Sequence, residues 1–310
     1  MSVKNKNQKQ PSTETVSNEP PPMSRRDMLA SGASALSGLG VMAVGGGMMA
    51  STEAFGKAGS KKPLSGKVAI VTGARANMGR AFCAALAELG ANVVIHYHRK
   101  STKKQALETS RLVQKAGAKA VLVQGDLGDV KNVKKLYDTA EKKFGGIDIV
   151  INNAGAIIKK PIAQFTDADF DKLDRVNNRA LFYSLREAAK RVRPGGRIIN
   201  NGTSLLAGAA PGYSVYAGTK APVEEYTRMV AKELGDKKIT VNCIAPGPID
   251  TPFFHSQENK NSAAYASRLS AEKRLGKVSD IAPLVSFLAT PESQWVNGQT
   301  LFINGGYLTR

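Results

Sequence analysis

The chain has 310 residues, a formal net charge of +19, a hydrophobic share of 42% and only two cysteines. That length admits one large domain or two modest ones, and the hydrophobic share is enough for a packed core. The positive excess is dispersed in pairs such as Lys103/Lys104, Lys134/Lys135, Lys142/Lys143 and Lys237/Lys238, with no aromatic interleaving and no zinc-ligand spacing, which argues against a nucleic-acid-binding stripe and a metal centre.

Residues 1–23 are polar and poor in large apolar groups, a composition that predicts disorder. Arg25-Arg26 then precede an uncharged run from Met28 to Ala50 that is long enough to span a bilayer but holds six Gly and three Ser. This stretch resembles a twin-arginine (Tat) export signal, with Met28 where that pattern usually has Phe and Ala30 where it often has Lys. Residues 1–54 are therefore expected to be a disordered terminus plus export signal, 55–62 a linker and 63–310 the folded domain. A periplasmic or otherwise extracytoplasmic location follows, with no stable membrane insertion once the leader is cleaved. An uncleaved membrane anchor, or retention in the cytoplasm, is the alternative.

From Lys67 the pattern is regular. Continuous apolar runs at 68–71, 92–95, 120–123, 149–151, 197–200 and 239–243 predict strands buried on both faces. Between them, helical periodicity covers about 78–89, 102–116, 130–144, 167–192 and a stretch around Tyr216 ending near Gly235, several of them closed by glycine. Strands alternating with helices of this length predict a single α/β domain built on one parallel sheet with helices on both faces. Cys83 falls in a helical pattern and Cys243 in a strand, and both read as core thiols, not as a disulfide.

The first strand runs into Gly73-Ala74-Arg75-Ala76-Asn77-Met78-Gly79 and then a helix, an arrangement in which free N–H groups and a partial positive charge face any pyrophosphate. Asn77 stands where a glycine is commoner, and asparagine tolerates the left-handed conformation best after glycine. At the end of the second strand, where a carboxylate would hold the ribose 2′-hydroxyl of NAD, the sequence has His96-Tyr97-His98-Arg99-Lys100-Ser101. Arg99 and Ser101, with Arg75 approaching from the turn, suit a 2′-phosphate, so NADP(H) is preferred and NAD(H) is the alternative. Further on, Tyr216 and Lys220 lie four apart on a helix, placing an ammonium beside a phenol whose pKa it is expected to lower. Thr203, thirteen residues upstream, offers a hydroxyl to the same substrate oxygen, with Ser204 the alternative if the loop slips by one.

Thr72-Gly73-x-x-x-Asn77-x-Gly79, Asp126-Leu127, Asn152-Asn153-Ala154-Gly155, Asn177, Thr203 with Tyr216-x-x-x-Lys220, Pro246-Gly247-Pro248-Ile249-Asp250-Thr251, and the tail from Arg274-Leu275-Gly276 to Asn304-Gly305-Gly306 together resemble the classical short-chain dehydrogenase/reductase family from about Pro63 to the C-terminus. The resemblance implies a Rossmann-type doubly wound sheet and the reversible reduction of a small carbonyl compound to an alcohol. It implies Tyr216 as general acid/base, Lys220 and Thr203 as its partners, and Asn177 as holder of a water leading from Lys220 to solvent. The implied cofactor set is Gly73, Arg75, Asn77, Met78, Gly79, Arg99, Ser101, Asp126 at the adenine, Leu127, Asn153, Ala154 and Gly155 beneath the adenosine ribose, Tyr216, Lys220, Pro246, Gly247, and Ile249 with Thr251 at the nicotinamide carboxamide. A homotetramer or homodimer through the helices of Asn177 and Tyr216 is implied as well. The stretch from Phe253 to about Leu269 is expected to be a mobile lid over a substrate pocket that residues 156–161 and 205–213 also line. The His-Tyr-His-Arg stretch is similar to that of pteridine reductases, which keeps a related enzyme as one alternative; a catalytically silent dinucleotide-binding or redox-sensing protein is the other.

Overall fold

A computed structural model describes residues 62–309, and the expected leader and most of the linker lie outside the described residues. Seven parallel strands form one sheet in the order β3-β2-β1-β4-β5-β6-β7: β1 is Val68–Val71, β2 Asn92–Tyr97, β3 Ala120–Gln124, β4 Ile147–Asn152, β5 Val192–Asn201, β6 Thr240–Pro246 and β7 Thr300–Ile303. The β-branched runs bury both faces, as a parallel sheet covered by helices requires. On one face Val68, Ile70, Val94, Val150, Ile198 and Val241 pack under α3 (Val130–Phe144), α5 (Ala180–Arg191) and α7 (Pro222–Glu233). On the other, Ala69, Val71, Ile95, Ile151, Ile199 and Ile244 meet α1 (Asn77–Glu88), α2 (Lys103–Lys115) and α10 (Val278–Ala289). The described residues belong to one unit without internal division. Cys83 and Cys243 are buried on opposite faces, each among apolar neighbours.

Several elements differ from their sequence patterns for local reasons. The single helix expected over 167–192 is α4 (Asp167–Asp174), opened by a Thr166/Asp169 capping box, then a π-helical turn at Arg175–Arg179, then α5. The helix expected around Tyr216 is divided into α6 (Ser214–Lys220) and α7, with Pro222 at the first turn of the latter, where its missing N–H has no bond to lose. β5 begins at Val192, five residues before its apolar run, across a glycine pair that carries no periodicity. The edge strand β7 was not read from its short pattern before the Asn304-Gly305-Gly306 turn.

The expected lid folds as two short helices, α8 (Pro252–His255) and α9 (Lys260–Leu269). Thr251 caps the first, and an Asn259/Ser262 capping box opens the second. The carboxyl ends of the strands open on one edge of the sheet, where the strand order reverses between β1 and β4. That reversal point is where open α/β sheets bind their ligands.

Candidate active site

A cleft of about 840 Å³ runs along that edge, lined in turn by the loops that follow β1 to β6. At its first wall, Gly73 takes φ +64° and Asn77 φ +50°, the left-handed conformation for which asparagine is best suited after glycine. A Cβ at Gly79 would stand 2.6 Å from the Gly73 carbonyl oxygen and 2.8 Å from Ala74 Cα, so only glycine lets the first turn of α1 press onto the strand. No side chain caps Ala76 at the start of α1, and its leading N–H groups are left for an anion.

Thr72 and Asn153 lock this wall to the next. The Thr72 hydroxyl accepts from the Asn153 and Ala154 N–H groups, both at 2.9 Å, and the Asn153 amide donates back to the Thr72 carbonyl at 2.9 Å. His96, buried in β2, accepts from Gly73 N–H at Nδ1 (3.1 Å) and meets the Gly125 carbonyl at Nε2 (2.9 Å), which fixes the neutral Nε2–H tautomer. Burial pushes its pKa down to about 4, the Gly125 bond opposing. This support was missed in the sequence; its one signal was a polar residue at a buried position of an apolar strand.

At the end of β2, Arg75 and Arg99 line the cleft together, and no carboxylate stands among residues 96–102. Ser101 lies outside the lining: it sits on the solvent side of a 3-10 turn, Lys100–Thr102, while Thr102 faces the cleft and donates to the Arg99 carbonyl at 2.8 Å. The turn rotates the expected hydroxyl by one residue. Asp126 reaches the cleft with its carboxylate already engaged, accepting from Gly128 N–H at 2.9 Å and Arg175 Nε at 2.8 Å. Burial pushes its pKa up, but those two donors outweigh it and hold the group below the ordinary carboxylate range. Asn77, Met78, Leu127, Ala154, Gly155, Pro246, Gly247, Ile249 and Thr251 complete the expected lining. Thr251 donates to the Ile249 carbonyl at 3.2 Å, holding that corner rigid.

Tyr216 and Lys220 are 6% and 4% exposed, on the cleft side of α6. The Lys220 ammonium donates to the Asn201 carbonyl at 2.8 Å. The expected lowering of the phenol's pKa is not what the structure shows. Burial pushes Tyr216 up to about 12, with a hydrogen bond from Thr203 pulling the other way, and burial pushes Lys220 down to about 8. Desolvation opposes the charged form of each, so at neutral pH the phenol keeps its proton. Thr203, not Ser204, is the hydroxyl beside it: Ser204 donates to the Ala245 carbonyl at 2.7 Å and accepts from Asn304 at 3.2 Å, pointing away into the fold.

The Asn177 side chain is buried beside α6. Its amide accepts from Ala156 N–H (2.8 Å) and donates to the Ala156 carbonyl (3.0 Å) and the Thr219 hydroxyl (3.1 Å), stapling the loop after β4 to α6.

The chain has relatives among known proteins. A family profile described as enoyl-(acyl carrier protein) reductase matches residues 73–308. A short-chain type dehydrogenase/reductase of Picea abies is 42% identical over 253 residues, covering 78% of this chain and 93% of its own. A hydroxynaphthalene reductase-like protein, Arp2, of Metarhizium robertsii is 38% identical over 261 residues, covering 80% and 97%. Among solved structures, a Burkholderia cenocepacia protein with bound NADP superposes with a TM-score of 0.78 at 37% identity, covering 81% of this chain and 97% of that one.

Proposed function

Because this chain belongs to the short-chain dehydrogenase/reductase family, we propose that it is an NADP(H)-dependent oxidoreductase that interconverts a carbonyl and an alcohol, with Tyr216 as the acid/base group. The observation that carries the reading is the buried, protonated Tyr216 phenol, bonded to Thr203 and one helical turn from the Lys220 ammonium, on the wall of a cleft whose other end has the dinucleotide turn. The residues fit the cofactor: Gly73, Asn77 and Gly79 shape a helix start that no Cβ obstructs, and Arg75 and Arg99 stand where a carboxylate would select NAD. NADP(H), when bound, supplies or accepts the hydride.

The chain's own groups handle the oxygen. In the reducing direction the phenol of Tyr216 donates its proton to the oxygen that develops negative charge, and the Thr203 hydroxyl donates a second hydrogen bond to it. Lys220 places a positive charge beside the phenolate that is left, and Asn201 holds the ammonium in place. NADPH oxidation followed at 340 nm with a panel of aldehydes, ketones and quinones tests the reading; a folded protein that binds NADPH and oxidises it with none of them overturns it.

The arginine pair makes the cofactor choice testable. Arg99→Asp is expected to lower kcat/KM for NADPH by about tenfold to a hundredfold, the weight of charge-assisted bonds to a phosphate, and to leave that for NADH unchanged or higher. Equal losses with both cofactors would show that Arg99 does not read the 2′-phosphate.

Arg25-Arg26 and the uncharged run after them support export by the twin-arginine route, and among the described residues no helix is long and apolar enough to cross a membrane. Replacing both arginines with lysine is expected to leave the full-length chain in the cytoplasm on fractionation, whereas a wild-type chain found there at full length would remove the proposal. Self-association is supported by Phe170, Phe182 and Met229, 52%, 42% and 50% exposed on α4, α5 and α7, around the elements that hold Asn177 and Tyr216. Light scattering should return a dimer or tetramer mass, and a monomer mass at micromolar concentration would refute it.

A further inference from the structure

Beyond the groups that act on the carbonyl oxygen, three segments distant in sequence converge on one buried carboxylate at the substrate end of the cleft. Glu258, between α8 and α9, has a side chain only 6% exposed and lines the cleft. Its carboxylate receives both oxygens' bonds from the Lys159 ammonium, at 2.8 and 2.7 Å, and a hydrogen bond from the Tyr213 hydroxyl. Lys159 comes from the loop after β4, and its backbone N–H donates to the neighbouring Gln257 side chain at 2.7 Å. Tyr213 is the residue immediately before α6, and its ring meets that of Tyr216 edge-on at 6.1 Å between centroids. The same ammonium lies 5.1 Å over the Tyr213 ring, and the Lys160 N–H donates to the Gly212 carbonyl at 3.0 Å, so the two loops are bound to each other as well as to the lid.

A carboxylate is an unusual wall for a chamber whose lining includes Phe253, Phe254, Tyr265 and Tyr307. Burying it is costly unless its charge is met, and Lys159 meets it. The pair is neutral as a whole, so it neither attracts nor repels a charged substrate over distance. The two carboxylate oxygens offer about four lone-pair directions: Lys159 takes two, and the others meet the Tyr213 and Ser262 hydroxyls, neutral donors that a substrate hydroxyl can replace. Tyr213, whose pKa is pushed up by burial and by Glu258, keeps its proton and is a replaceable donor to that carboxylate.

The geometry points to Glu258 as a specificity-determining residue that accepts a hydrogen bond from a hydroxyl of the substrate, so that the preferred substrates are neutral aromatic ketones or quinones bearing a ring hydroxyl. This deepens the proposed carbonyl reduction and rests on it. The aromatic side chains face the substrate's ring, Tyr216 serves its carbonyl oxygen, and Glu258 reads a second polar group one tyrosine ring away. An analogue that lacks the hydroxyl leaves Tyr213 on the carboxylate and gains no bond to it, and that missing bond is the basis of the discrimination.

The test uses the full-length protein with NADPH and a matched pair, 2-tetralone and 6-hydroxy-2-tetralone. Wild type is expected to favour the hydroxylated ketone in kcat/KM by about tenfold or more, the worth of a hydrogen bond to a charged acceptor. Glu258→Gln, which keeps shape and loses charge, is expected to collapse that preference several-fold, mainly through KM for the hydroxylated ketone. Tyr213→Phe removes the competing donor and is expected to raise the preference above wild type, an outcome that a purely structural latch would not produce. Equal kcat/KM for the two ketones in wild type overturns the inference while leaving carbonyl reduction intact. A preference that survives Glu258→Gln, or is unmoved by Tyr213→Phe, overturns it too. If wild type reduces neither tetralone but reduces other carbonyls, the aromatic hydroxyketone class is wrong; if it reduces no carbonyl at all, the proposed function falls with it.

Discussion

Tyr216→Phe is expected to lower kcat for carbonyl reduction by about a hundredfold to ten-thousandfold, the range spanned by a positioned proton donor, with NADPH affinity close to wild type. The ring, its packing and its edge-on contact with Tyr213 survive the change; only the oxygen that Thr203 bonds is lost. The loss should fall on kcat and kcat/KM alike, since the proton is delivered only as the carbonyl oxygen gains charge. Steady-state kinetics beside a fluorescence titration with NADPH separate the two quantities. A variant with wild-type kcat would take the proton-donor role away from Tyr216.

Lys220→Met is expected to lower kcat/KM by about a hundredfold to a thousandfold, comparable to losing one preorganised charged donor, yet to melt no lower than wild type at pH 7. The lysine's folded pKa of about 8 is below its ordinary value of 10.5, so between those pH values the unfolded chain binds more protons than the folded one. Stability therefore rises with pH across that window, and below about pH 8 the buried ammonium works against folding. Activity has the opposite slope, because the charge beside the phenol is lost as pH rises through about 8. Wild type should show a falling basic limb in kcat/KM while its melting temperature holds or climbs on account of this group, and Lys220→Met should lack the limb. Thermal melts and pH–rate profiles on both proteins check this; a methionine variant that is markedly less stable and keeps the limb would sink the assignment.

The sequence was most readable where function is written in consecutive residues. The glycine turn with Asn77, the absent carboxylate after β2 and the Tyr216/Lys220 spacing each depend on neighbours a few positions apart, and each of these groups lines the cleft. What it hid was set by contacts between distant segments. Lys159, Tyr213 and Glu258 have no local pattern, because their association exists only once three loops are folded onto the same strand ends. The direction of the Tyr216 pKa was misjudged for a related reason: spacing on a helix reveals a neighbouring charge but not the depth at which both groups are buried. The sequence pointed to Ser101 and gave no sign of Thr102, because the 3-10 turn Lys100–Thr102 decides which hydroxyl faces the cleft. The partners of Asn177 were hidden in the same way, since a π-helical turn directs its amide onto Ala156 and Thr219.

The imidazole of His96 separates two tasks that most sheet ends must combine. It braces the Gly73 turn from inside the fold, while Arg99, proposed to read the 2′-phosphate, stands three positions later on the cleft wall. Residues 98–102 are thus open to exchange, by drift or by engineering, without loosening the phosphate-binding turn. If Arg99 reads the 2′-phosphate as proposed, cofactor preference in this scaffold is a replaceable part mounted on a fixed bracket.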